Sequence, residues 1–156
     1  SILIERGYKN IACIAGPKEY IYTTDRIQGF SNALQNAGLD STRIVYSHYS
    51  AYEARKNTSL LLQQHPDIDA VFIAAGGEFV LNILEVIRFS GIPLKKLGVG
   101  AFDDYRVYDF LECPIIAAKQ PMEKMGASIS RTLFSLIDGE TPFPMFKEFD
   151  IELILR

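Results

Sequence analysis

The sequence predicts an α/β domain built on a doubly wound, mostly parallel sheet. Two observations carry that expectation. Short apolar runs, the mark of strands covered on both faces, alternate at least four times with stretches of helical periodicity along the 156 residues. One of these runs, beginning at Leu97, ends in two adjacent carboxylates, Asp103 and Asp104, and the carboxyl ends of parallel strands are where open α/β sheets place ligands. Neighbouring residues leaving a strand point in different directions, so one carboxylate faces the crevice and the other turns toward backbone amides of the next segment. Asp103 is the expected ligand group; the competing reading is that both simply cap the helical turn that follows.

Taken in order, the chain opens on Ser1 to Glu5, the last turns of a helix closed at Gly7, so it is expected to be a fragment. Ile11 to Ala15 is the first strand, ended by Gly16-Pro17. A loop with Tyr20 and Tyr22 leads to a helix capped by Thr23 or Thr24 and running to about Ala37, with Ile27, Phe30, Ala33 and Leu34 on one face. Arg26 falls in its first turn, a poor place for a cation beside the helix dipole. Either it is a solvated surface residue or a crevice-facing role favours it.

Arg43 to Ser47 reads as a second strand, followed by a helix from the cap Ser50 through Gln64, with Tyr49 between them. Ala70 to Ala75 is a third strand running into Gly76-Gly77, where backbone freedom or close approach of a ligand is needed. A helix through Phe79 to Arg88, the Leu97 strand and a helical turn over Tyr105 to Leu111 follow. Ile115 to Ala118 is a fifth strand and Gln120 leaves it. A helix spans about Met122 to Ile137, the turn Asp138 to Pro142 comes next, and alternating Phe149, Ile151, Leu153 and Leu155 form one or two closing strands. In a parallel sheet the loops after each strand share one rim. That rim would carry Tyr20, Tyr22, Arg26, Tyr49, Gly76, Asp103 and Gln120, a cradle suited to a polyhydroxylated ring.

Composition narrows the function. With 48% hydrophobic and 22% charged residues and a formal charge of -3, the chain is an ordinary globular domain lacking the basic face of a nucleic-acid binder. No apolar stretch of about 18 residues and no signal-type leader is seen, which points to a cytoplasmic protein with no membrane partner. Cys13 and Cys113 sit apart in apolar settings, with only His48 and His65 as further soft ligands, so free buried thiols and no metal or cofactor are expected. Gly-x-Ser-x-Gly, phosphate-loop, HExxH and GxGxxG signatures are missing, and His48 has no nucleophile that can be named beside it, so no enzyme is expected.

Glu5-Arg6-Gly7-Tyr8-Lys9-Asn10-Ile11-Ala12, Ala15-Gly16-Pro17, Asp25-Arg26-Ile27-Gln28-Gly29-Phe30 and Ala37-Gly38-Leu39 resemble the effector-binding half of lactose-repressor (LacI/GalR) family regulators. Leu97 to Asp104, Lys119-Gln120-Pro121 and Met125-Gly126 continue the resemblance over nearly the whole chain. It implies a type I periplasmic-binding-protein-like fold of two subdomains closing on a small ligand. Residues 1–119 and 149–156 would form mainly the second subdomain, and residues 120–148 a crossover helix and strand of the first. Most of that first subdomain and an N-terminal helix-turn-helix would lie outside this chain, leaving the helix after Pro121 no sheet of its own to cover.

The resemblance further implies a transcriptional regulator, most simply a repressor, whose effector is a carbohydrate or phosphorylated sugar and which touches DNA only through the helix-turn-helix. Arg26 and Asp103 match the opposed groups that grip the effector, Tyr49 a stacking ring, and Gln120 a polar neighbour; Tyr20 and Tyr22 replace smaller polar residues. Gly76-Gly77 stands where the family usually has Asn-Asp. A homodimer is implied through the helices after strands two and three, with Tyr108, Phe110 and Leu111 able either to join that interface or to lie in their own core. The alternative is an extracytoplasmic sugar-binding protein of a transporter.

Overall fold

A computed structural model describes residues 1–141 and 146–156. Five parallel strands are observed: β1 (Ile11–Ala15), β2 (Ile44–Tyr46), β3 (Ala70–Ala74), β4 (Gly98–Phe102) and β5 (Ile115–Lys119). A sixth, β6 (Glu152–Leu155), pairs antiparallel with β5 at the edge. The order is β2-β1-β3-β4-β5-β6, so the doubly wound, mostly parallel sheet expected from the sequence is present. The expected turn through Pro142 falls partly outside the described residues.

The apolar runs have no polar alternation because both faces of the central strands are covered. Ala12, Ile14, Val71, Ile73, Val99, Ala101, Ile115 and Ala117 face one way, into a core closed by α3 (Ala51–Gln64) and α4 (Glu78–Phe89). Ile11, Cys13, Ala15, Ala70, Ala74 and Ile116 face the other way, toward α1 (Ile2–Glu5) and α2 (Ile21–Asn36). Period-two geometry thus sends alternate residues of one run into two separate cores. Ser50 Oγ accepts the Glu53 N–H at 3.1 Å, which is the N-cap the sequence predicts for α3. Both cysteines are buried and free.

α2 begins earlier than expected. Its cap is Tyr20, whose carbonyl accepts the Thr23 and Thr24 N–H groups, and Thr23 lies buried inside the helix. Arg26 is therefore in the second turn, where the dipole argument for its position no longer applies. α5 (Met122–Ile137) is formed as predicted, but Ser128 is its one buried residue among the described residues, and Met122, Ile129, Leu133, Phe134, Leu136 and Ile137 are exposed. No helix among the described residues is long and apolar enough to cross a membrane.

Gly98 begins β4 because there is no room for more. A Cβ there would sit 2.5 to 2.8 Å from ring carbons of Tyr8. Gly98→Ala is expected to cost about 1–3 kcal/mol of stability through overpacking, read as a lowered denaturation midpoint. An unchanged midpoint would show that the Tyr8 ring yields freely.

Candidate functional site

Of the rim residues named from the sequence, Tyr20, Tyr49, Gly76, Asp103 and Gln120 lie in the segments that leave the carboxyl ends of the parallel strands, and Tyr22 and Arg26 in the first two turns of α2, which follows β1. The parallel register fixes this, since β1, β3, β4 and β5 run side by side and end together. The backbone of Asp103 leaves β4 in the left-handed region, at φ 63°, the one non-glycine residue to do so among the described residues. Its N–H donates to the Ala118 carbonyl at 3.0 Å, which pins the turn to β5. That turn separates the two carboxylates. Asp103 faces the rim, whereas Asp104 turns to Arg156, which grips it with two bonds of 2.8 and 2.6 Å and reaches Asp109 at 2.9 Å. The expectation that Asp104 would seek backbone amides is corrected: a guanidinium at the end of β6 satisfies it, and holds its carboxyl below the usual carboxylate range.

Arg26 is seated rather than solvated. Its guanidinium lies 3.7 Å from the centre of the Phe102 ring and 5.4 Å from that of Tyr22, and it donates to the Ala74 carbonyl at 3.3 Å. Burial lowers the guanidinium pKa, and the charge of Asp103 opposes that shift. Asp103 is in turn held by Gln120, whose Nε2 donates to Oδ1 at 2.7 Å.

The three tyrosines form a layered patch beside Arg26. Tyr20 and Tyr22 stack at 5.3 Å, Tyr20 and Tyr49 at 6.4 Å, and the Tyr49 hydroxyl donates to that of Tyr22 at 3.1 Å. Tyr49 also leans edge-on against Phe79 and closes over Gly16, where a Cβ would meet its hydroxyl at 2.6 Å. Burial and the Tyr22 hydroxyl push the Tyr49 phenol up to about 12, so it stays protonated at neutral pH.

Gly76 earns its place by geometry. A Cβ on it would run into the Asp103 carboxylate, and Gly77 follows at φ 70°, outside ordinary side-chain conformations. The structure also brings in a residue that the sequence did not single out. The Tyr105 hydroxyl accepts the Gly77 N–H at 2.7 Å and donates to Asp103 Oδ2 at 3.4 Å.

His48, near Tyr49, is engaged locally. Its ring Nδ1 and its backbone N–H both lie 2.9 Å from Glu53 Oε2, and the Glu53 hydrogen bond raises the imidazole pKa. A raised folded value means the contact helps the folded loop fully below the unfolded pKa of about 6.5 and is lost as pH climbs through the higher folded value. Proton NMR should give a His48 midpoint above that of a free histidine, falling in Glu53→Gln. An unmoved midpoint in that variant would break the assignment.

The suggested interface residues divide. Tyr108 is 1% exposed and belongs to the α3/α4 core, the second of the two places the sequence left open for it, and Leu111 packs partly against the same core. Phe110, in the same short helical turn (Arg106–Phe110), is 84% exposed. The turn is too tight for sequence periodicity to tell its two faces apart. Among the described residues no cluster of His, Cys, Asp and Glu could hold a metal ion.

The family profile described as periplasmic binding protein-like domain matches residues 1–156. The HTH-type transcriptional regulator CelR of Thermobifida fusca is 36% identical over 158 residues, covering 99% of this chain and 46% of CelR. The ribose operon repressor of Halalkalibacterium halodurans is 28% identical over 168 residues, with the same coverage of each chain. Among solved structures, the CelR–cellobiose complex superimposes with a TM-score of 0.86 at 35% identity, covering 98% of this chain and 47% of the other. This chain thus spans about half the length of the regulators it matches.

Proposed function

Because the chain belongs to the periplasmic-binding-protein-like domains of LacI/GalR-type transcriptional regulators, we propose that it senses a neutral sugar and passes that state to a DNA-binding domain outside these residues. The observation that carries the reading is one rim holding a seated guanidinium, Arg26, and a carboxylate, Asp103, beside a stack of three tyrosines. Opposed fork-like groups bind pairs of hydroxyls, and aromatic faces cover the C–H face of a pyranose. One cation against one anion leaves the cradle without surplus charge, which favours a neutral sugar over a sugar phosphate. The cellobiose bound by the CelR structure supports a disaccharide-sized ligand.

Residues 1–119 and 149–156 form the second effector subdomain, and the exposed apolar side of α5 packs on the first. The ligand closes the cleft between them, shifting a population whose coupling to DNA affinity is reciprocal. Two copies associate through α3, α4 and Phe110, and the regulator works in the cytoplasm without catalysis. The transporter-receptor alternative has less support, because the relatives with high coverage are regulators.

Thermal denaturation of the full-length protein with cellobiose, glucose, glucose 6-phosphate and inorganic phosphate tests the reading. Binding to the folded state raises the midpoint. Stabilisation by cellobiose is expected; stabilisation by the phosphorylated compounds alone would reverse the charge argument.

A further inference from the structure

The Asp103 carboxylate is gripped from both sides by groups that do not themselves face the cleft as charges. Gln120 Nε2 takes Oδ1 at 2.7 Å. Tyr105 Oη takes Oδ2, while its own oxygen is fixed by the Gly77 N–H at 2.7 Å. The Tyr105 ring is anchored in turn, standing edge-on against the buried Tyr108 at 5.6 Å and 84°. The backbone beneath Asp103 sits in an unfavourable region, at φ 63°, so the side chain needs neighbours to hold one direction. Gly76 leaves the space this arrangement uses, since a Cβ there would strike Oδ2.

We propose that Tyr105 is a positioning residue for effector recognition: its phenol locks Asp103 to the β3–α4 loop, so that the carboxylate meets the sugar already aimed. This rests on the reading that Asp103 contacts the effector. Each carboxylate oxygen takes one donor from the protein and keeps a lone pair for a ligand, so Asp103 can accept two hydroxyls at once. A network of this kind also links the ligand to the loop after β3, because Gly77 is held through the same oxygen.

Tyr105→Phe in the full-length protein removes the bridge and keeps the ring against Tyr108. Titration with cellobiose should show about a tenfold weaker Kd, while the unliganded protein stays folded with at most a modest fall in its thermal midpoint from the freed Gly77 N–H. In an Asp103→Asn background the same substitution should cost less than threefold, because it acts through the carboxylate. An equal loss in both backgrounds, or no loss in the wild type, overturns the proposal. If Asp103→Asn itself leaves the Kd unchanged, the effector reading fails instead. Two further measurements need no sugar. The Asp103 carboxyl carbon and Gly77 amide NMR resonances of the unliganded protein should both move in Tyr105→Phe; unmoved resonances would sink the bridge. Gly76→Ala should shift the same carboxyl resonance by displacing Oδ2.

Discussion

Replacing Arg26 or Asp103 by alanine in the full-length protein is expected to weaken effector binding by about 2 to 4 kcal/mol, roughly 30- to 700-fold in Kd. The size follows from burial and charge together. Arg26 is half-covered between Phe102 and Tyr22, so its bonds to a ligand form away from bulk water, where charged hydrogen bonds count most. Asp103 is preheld by Gln120, so it gives up little freedom when the sugar arrives. Removing either group also leaves its opposite without a compensating charge, which adds to the loss. Isothermal titration showing less than a threefold change for both variants would take the pair out of the site.

Tyr108→Ala is expected to destabilise the chain by about 3–5 kcal/mol, a large share of the roughly 5–15 kcal/mol that holds a domain folded. The ring is 1% exposed and lies among the α3/α4 core residues, so its loss opens a cavity that the surrounding strands cannot close. Tyr108→Phe is the informative partner. The Tyr108 hydroxyl is buried with no hydrogen-bond partner among the described residues, so deleting it should leave stability unchanged or slightly raised. Denaturant titration of both variants separates core packing from an interface role. A Tyr108→Ala variant of full stability that merely dissociates on dilution would put the ring back at a dimer contact.

The strands and the rim were legible because they depend on local pattern. Continuous apolar runs such as Ile11 to Ala15 and Ala70 to Ala75 state that both faces are covered, and β1 and β3 are where those runs predict. Once the strands are parallel, the segments that carry Arg26, Asp103 and Gln120 all leave the same edge of the sheet, and Gln120 reaches Asp103 there. What stayed hidden depends on partners distant in sequence. Nothing near Asp104 announces that Arg156, 52 residues later, holds it.

The start of α2 was misplaced because its cap is a backbone carbonyl, that of Tyr20, where the sequence offered two threonines. With α2 starting at Ile21, Arg26 falls a turn further in, where the dipole raises no objection to a cation, and its seat is the Phe102 ring. Tyr105 reads from the sequence only as the start of a helical turn. A signal is present all the same: a hydroxyl-bearing ring two positions after Asp103, opposite a Gly-Gly loop with no side chain of its own to offer.

Whether one sugar lies between the guanidinium of Arg26 and the carboxylate of Asp103 is decided by a crystal structure of the full-length protein with cellobiose. Sugar hydroxyls are expected within about 3.2 Å of both side chains, with a pyranose face against the tyrosine stack. Density for the sugar elsewhere, with neither Arg26 nor Asp103 in hydrogen-bonding distance, would contradict it.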